Sequence, residues 1–245
     1  MEPMPSDPVE ILSLVLLQDS IILGLVIGFF WAGVFVARRL GRSASYGLGA
    51  LGLARPKSGT FAGVTVGLLV GSGAFLVSAV VGVLSAQVLE RSGYSSENTA
   101  QEPLISGVQQ WVGESPEIAV PAAIAVMVIF APAAEELVFR GAIFGGLRRL
   151  GLLISRRTGD EGVSRAARRA SFILAALLSS AVFALLHLSP VILPAVFILA
   201  IVLCVLYERT GSLLSPFVAH AVFNFVPTLL IILLGLGILE VPAAS

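Results

Sequence analysis

Six apolar runs, each long enough to cross a lipid bilayer, restrict this chain to very few architectures. A helix needs about 20 predominantly apolar residues to cross the hydrocarbon core, whereas a barrel strand needs about 9–11. Lipid offers no partner to a backbone N–H or C=O, so only helices or closed barrels can span it. The runs extend from Ile11 or Ser20 to Ala37 (interrupted by Gln18 and Asp19), Thr60 to Leu89, Ile118 to Leu147, Phe172 to His187, Val191 to Tyr207 and Leu213 to Leu239. The fourth is short and is expected to extend into Ala166–Ala170 or the interface. These lengths predict an all-α fold, a polytopic transmembrane helical bundle of about six spans with room for interfacial helices. Residues 1–245 are expected to form a single integral membrane domain. Composition agrees, with 57% of residues hydrophobic and 12% charged, against about 45–50% and about 25% in soluble domains.

Charge orders the spans. The loop after the first run carries Arg38, Arg39, Arg42, Arg55 and Lys57 without an acid, and the loop after the third carries Arg148, Arg149, Arg156, Arg157, Arg165, Arg168 and Arg169 against Asp160 and Glu161. The Leu89–Glu117 loop is acidic instead, with Glu90, Glu97, Glu102, Glu114 and Glu117 beside Arg91. Such alternation predicts both termini outside and the arginine loops in the cytoplasm. Those loops are short and bounded by spans, which argues against nucleic acid as a partner. Met1–Glu10 has three acids, three prolines and no basic residue, so no cleaved signal peptide is expected there.

Several features have structural readings. Gly63, Gly67 and Gly71 form a close-packing helix face, repeated more weakly by Gly24/Gly28 and Gly141/Gly145. Ile118 to Leu147 as one straight helix would measure ~45 Å, and Pro132 predicts a kink before the acidic pair. Cys204 reads as a small buried hydrophobe. Trp31, Trp111 and Tyr207 read as interfacial anchors.

Against this background, three signatures stand out: Glu135-Glu136-Leu137-Val138-Phe139-Arg140, Phe183-Ala184-Leu185-Leu186-His187 and His220-Ala221-Val222-Phe223-Asn224. They contain both histidines of the chain. Charged groups at membrane depth cost roughly 2.5–3.5 kcal/mol each on insertion scales, so their concentration in three runs points to one shared polar site. At 100° per residue Glu136 and Arg140 share a helix face and can pair, while Glu135 points away and is left as a candidate general base. Phe183 and His187 lie one turn apart, as do His220 and Asn224. The latter pair can donate hydrogen bonds to one oxygen, as an oxyanion requires. No Ser, Thr or Cys in the signatures offers a nucleophile, and Ser189 has no accompanying Asp. Water is then the attacking group, activated by Glu135 with His187. A His₂Glu zinc site is the alternative, although no His-Glu-x-x-His motif is present. A proton relay in a transporter, or a polar packing cluster in a scaffold, would draw on the same residues.

The ordered motifs Glu-Glu-x-x-x-Arg, Phe-x-x-x-His and His-x-x-x-Asn resemble the CAAX protease and bacteriocin-processing enzyme (CPBP, or Abi) family, which includes the Ras-converting CAAX endopeptidase. The resemblance covers about Pro116 to Leu236, so 116–236 is the expected catalytic core. It implies an intramembrane endopeptidase, a CAAX prenyl protease-like hydrolase. Glu135, His187, His220 and Asn224 would be catalytic, with Glu136, Arg140 and Phe183 supporting them. No metal and no cofactor are expected, because the chain lacks a compact metal-ligand motif. The wealth of Ala, Gly, Leu, Val and Arg suggests a high-GC prokaryotic genome and with it a plasma-membrane location; residue counts from the arginine loops place the candidate residues in the middle to cytoplasmic part of the bilayer, so the active site is expected to face the cytoplasm. Prokaryotes generally lack prenylated CAAX proteins, so the expected partners are a peptide or membrane-anchored protein substrate and the lipid bilayer. Arg148, Arg149, Arg168 and Arg169 are expected to draw an acidic substrate segment or a free carboxylate to the entrance.

Overall fold

The computed structural model describes residues 8–39, 48–94, 102–155 and 161–240. The N-terminal seven residues, Arg42, Glu97, Arg156, Arg157 and Asp160 lie outside the described residues. Among those described, seven helices and no strand are found: α1 (Pro8–Arg39), α2 (Thr60–Arg91), α3 (Glu102–Glu114), the segmented α4 (116–155), α5 (Glu161–Leu185), α6 (Leu193–Thr210) and α7 (Leu214–Gly235). All but α3 are long and apolar enough to cross a membrane. The fold is the expected all-α polytopic bundle.

Between helices in lipid there is no hydrophobic drive, so association rests on close packing and buried polar contacts. The α2–α7 contact follows that rule. A Cβ on Gly67 would lie 2.8 Å from the Ser215 carbonyl oxygen, and one on Gly71 would lie 2.5 Å from that of Ala219. The Gly63/Gly67/Gly71 face is therefore what lets α7 sit at the centre of the bundle. Gly24 and Gly28 have open space around them and pack no partner.

α4 solves its excess length by changing its winding. Ile124–Phe130 and Leu137–Phe144 are π-helical, flanking the short α-helical stretch Ala131–Glu136. The Ala131 N–H reaches back to the Val126 carbonyl, five residues away. Such widening relieves the clash that Pro132 would impose on a tight turn, and it is a recognised device at functional sites. The expected break before the acidic pair thus takes the form of a π-bulge.

α3 gives the acidic Leu89–Glu117 loop a helix of its own, beyond the six runs. Its thirteen residues are too short and polar to span, but Val108 and Val112 are fully buried against Leu12, Ala119, Ala123 and Ile231. Trp111 packs partly against the same cluster. Tyr207 also departs from expectation: it is buried, edge-on to Phe144 with ring centroids 6.0 Å apart, rather than anchored at the interface. Cys204 is buried as expected, with Ser180 Oγ 3.9 Å from its sulfur.

Candidate active site

Two apolar clusters bracket the polar centre along the bundle. One joins α1, α3, the start of α4 and the end of α7; the other joins Val138 and Phe139 of α4, Phe183 and Ala184 of α5, and Val196 and Ala200 of α6. Between them the first signature supplies a buried ion pair. Arg140 Nη1 lies 2.9 Å from Glu136 Oε1, both side chains being 1% exposed. The approach is close enough for an ion pair but not aligned as a hydrogen bond, and none of the guanidinium nitrogens has a hydrogen-bond partner. The guanidinium lies instead over the Phe183 ring, 4.5 Å from its centroid, where the ring's negative face partly compensates its charge.

α7 adds a contact that helix geometry on α4 alone does not reveal. His220, 2% exposed, places Nδ1 2.8 Å from the same Glu136 Oε1 and Nε2 3.5 Å from Glu135 Oε2. An anionic Glu136 accepts from Nδ1–H, so the ring is held by one carboxylate and presents Nε2 to the other. Glu135 is 24% exposed, the more open of the two acids. Phe183 organises the remainder, with ring-centroid distances of 5.7 Å to His220 and 4.9 Å to His187.

His187 does not lie within a span. α5 ends at Leu185, and a tight turn carries the chain past it, with the His187 N–H donating to the Ala184 carbonyl. Its Nδ1 is 2.9 Å from the Phe183 carbonyl oxygen. Donation from Nδ1 fixes the tautomer and leaves the Nε2 lone pair available. The next residue, Leu188, has φ 51, a left-handed backbone uncommon outside glycine.

Asn224 has a structural partner that the motif spacing did not indicate. Its Nδ2 donates to the Met127 carbonyl oxygen at 3.1 Å. The origin lies in α4: Ala131 N–H is committed to Val126, and residue 132, the next donor in π-winding, is proline. The Met127 carbonyl therefore lacks a helical donor, and Asn224 supplies one. The second Nδ2 proton remains available.

Sequence reasoning missed Asp19. It is 7% exposed, its Oδ2 has no hydrogen-bond partner, and it sits on α1 where that helix packs against Ala131–Glu136. It is near enough to Glu135 for their charges to interact. The available signal was a carboxylate interrupting an apolar run, the same signal that flagged the other signatures.

A cavity of ≈ 720 Å³ reaches the site, lined by Leu23, Arg55, Ala133, Glu136, Ser212 and Phe217 among others. The 52–57 loop that walls it is stitched to the α6–α7 turn by Leu213 N–H to Gly52 O (2.9 Å) and Lys57 N–H to Thr210 O (3.1 Å). Arg148, Arg168 and Arg169, expected at the entrance, line a different cavity that shares no residue with this one. Among the described residues no three His, Cys, Asp or Glu side chains gather at metal-ligand spacing.

Residues 117–226 match the protein family described as Type II CAAX prenyl endopeptidase Rce1-like. No curated protein and no solved structure matches the chain.

Proposed function

The chain carries an Rce1-like domain, that of an intramembrane protease of the CAAX prenyl endopeptidase type, and from that premise we propose that Glu135 activates the water that hydrolyses its peptide bond. The observation carrying this reading is the His220 bridge: Glu136 holds Nδ1, and Nε2 faces Glu135 at 3.5 Å. Water attacks the carbonyl carbon as Glu135 takes its proton. The carbonyl electrons move to oxygen, which accepts hydrogen bonds from His220 Nε2–H and the free Asn224 Nδ2 proton. Collapse of this intermediate breaks the C–N bond, and Glu135 returns the proton to the leaving amine.

The geometry adds a condition. A ring already donating from Nδ1 can donate from Nε2 only as an imidazolium. Glu135, Glu136, Arg140 and His220 then form a charge-balanced quartet, which a low-dielectric site tolerates better than any unpaired member. His187 Nε2, with its lone pair free, accepts a hydrogen bond from the water. No cofactor enters this scheme.

The substrate is a peptide or membrane-anchored protein segment entering through the 720 Å³ cavity, where Arg55 faces it. That cavity lies at the end of the bundle bearing the basic 52–57 loop, which supports access from the cytoplasm. The experiment is incubation of purified protein in liposomes with a peptide library beside Glu135→Gln. Cleavage by the wild type alone supports the proposal; equal cleavage by a folded Glu135→Gln removes Glu135 from its role.

A further inference from the structure

The basic end of α6 carries a feature that peptide hydrolysis does not use. A cavity of ≈ 450 Å³ lies between α5 and α6, lined by Arg148, Arg168, Arg169, Arg209, Glu208 and the apolar Phe172, Ile173 and Val205. Four arginines against one glutamate leave a net charge of +3. Glu208 Oε1 is committed to Arg148, at 2.9 Å from Nε and 2.6 Å from Nη2. Arg148 is further fixed by the Arg168 carbonyl oxygen at 3.1 Å and Ser171 Oγ at 3.4 Å. Among the described residues, Arg168, Arg169 and Arg209 have no acidic partner.

On the other side of the same helix edge lies a second cavity of ≈ 340 Å³, lined by Lys57, Ser58, Val66, Val70, Val202, Leu206 and again Val205 and Arg209. From Arg209 to Val202 this groove follows α6 for about 10 Å, at 1.5 Å per residue. Two apolar grooves therefore descend on either side of Val205 from one cluster of guanidinium groups. Among the described residues Glu208 is the one acid lining the cluster, and it is committed to Arg148, at the end of the spans where a bilayer's headgroups lie. A molecule with one anionic head and two apolar chains meets every one of these demands.

We propose that this edge of α6 binds an anionic diacyl glycerophospholipid, its phosphate held by Arg168, Arg169 and Arg209 and its chains lying in the two grooves. The site is distinct from the cavity that reaches Glu136. Its test needs no turnover. Purified protein is incubated with equimolar phosphatidylglycerol and phosphatidylcholine of identical chains, and bound lipid is counted by native mass spectrometry. The wild type retains phosphatidylglycerol in about tenfold or greater preference, since each surface arginine adds a several-fold factor. The triple variant Arg168→Gln/Arg169→Gln/Arg209→Gln falls to near parity, and Arg165→Gln, exposed and off the cavity, keeps the preference. Should the triple variant not fold, Arg209→Gln alone must lower the preference. Val202→Trp, which fills one groove, weakens diacyl lipid retention. Millimolar inorganic phosphate leaves phosphatidylglycerol in place; its displacement by phosphate would mean that an anion alone is recognised and would overturn the proposal. Equal retention of both lipids by the wild type, or an unchanged preference in the arginine variants, would overturn it as well.

Discussion

Replacing Arg140 by methionine separates what holds the site together from what it does. Methionine keeps an unbranched stem of similar girth, so little cavity is created, but Glu136 loses its counter-charge at 2.9 Å and Phe183 loses the cation on its face. Breaking a buried pair by removing one partner costs about 3–5 kcal/mol, and here two carboxylates are left to share His220 alone. At about 2–4 °C per kcal/mol for a chain of this size, the unfolding midpoint in detergent should fall by roughly 6–20 °C. Glu135→Gln is the contrasting change. Glu135 is 24% exposed, so water can take over its part in facing His220 Nε2 at 3.5 Å, and the amide should cost only about 1 kcal/mol or less. Turnover should nevertheless fall by about 10²–10⁴, the usual worth of a positioned base. The double variant Glu136→Gln/Arg140→Met should recover part of the lost stability, since no lone charge then remains buried. The measurement is a thermal melt of each purified variant followed by a cleavage assay below its midpoint. If Arg140→Met melts no lower than Glu135→Gln, the pair is not the structural element inferred here.

Asp19→Leu should raise the melting temperature, because a buried carboxylate oxygen without a partner is removed, yet lower kcat, because a charge that Glu135 senses is lost; unchanged kcat in a stabilised variant would place Asp19 outside the reaction. Asn224→Leu should cost about 1–3 kcal/mol by orphaning the Met127 carbonyl. In a Pro132→Ala background, which restores a backbone N–H to α4, the same change should cost measurably less by chemical denaturation, and equal costs in both backgrounds would break the link. Exhaustive chelation should leave cleavage unchanged; loss with recovery on stoichiometric zinc would turn His187, His220 and Glu135 into ligands.

What the sequence made legible followed from periodicity and from the cost of polarity in lipid. Run length located the spans, and the i,i+4 rule placed Arg140 beside Glu136 on one face. The tight Gly67 and Gly71 contacts with α7 were foreshadowed by four-residue spacing. Contacts that depend on which helices become neighbours were not legible. No spacing rule relates His220 to Glu136, 84 residues apart, and none could assign Asn224 to a carbonyl stranded by Pro132. α3 was hidden because its apolar face is narrow and interrupted by Gly107, Gln109 and Gln110. Tyr207 was misplaced because position near a span end suggests an interface, whereas the turn at Gly52 folds over it.

These contacts give α4's irregular winding a physical role. A regular α-helix carrying Pro132 would leave an unmatched carbonyl and a steric clash one turn before the acidic pair, both costly where water is scarce. Widening the turn removes the clash but not the unmatched acceptor, so a donor must come from another helix. Asn224 is that donor, and it stands one turn from His220 on α7. Satisfying Met127 therefore also fixes the register of α7 against α4, the register that brings His220 between Glu136 and Glu135. Backbone repair and the meeting of His220 with Glu136 and Glu135 are in this way the same packing event.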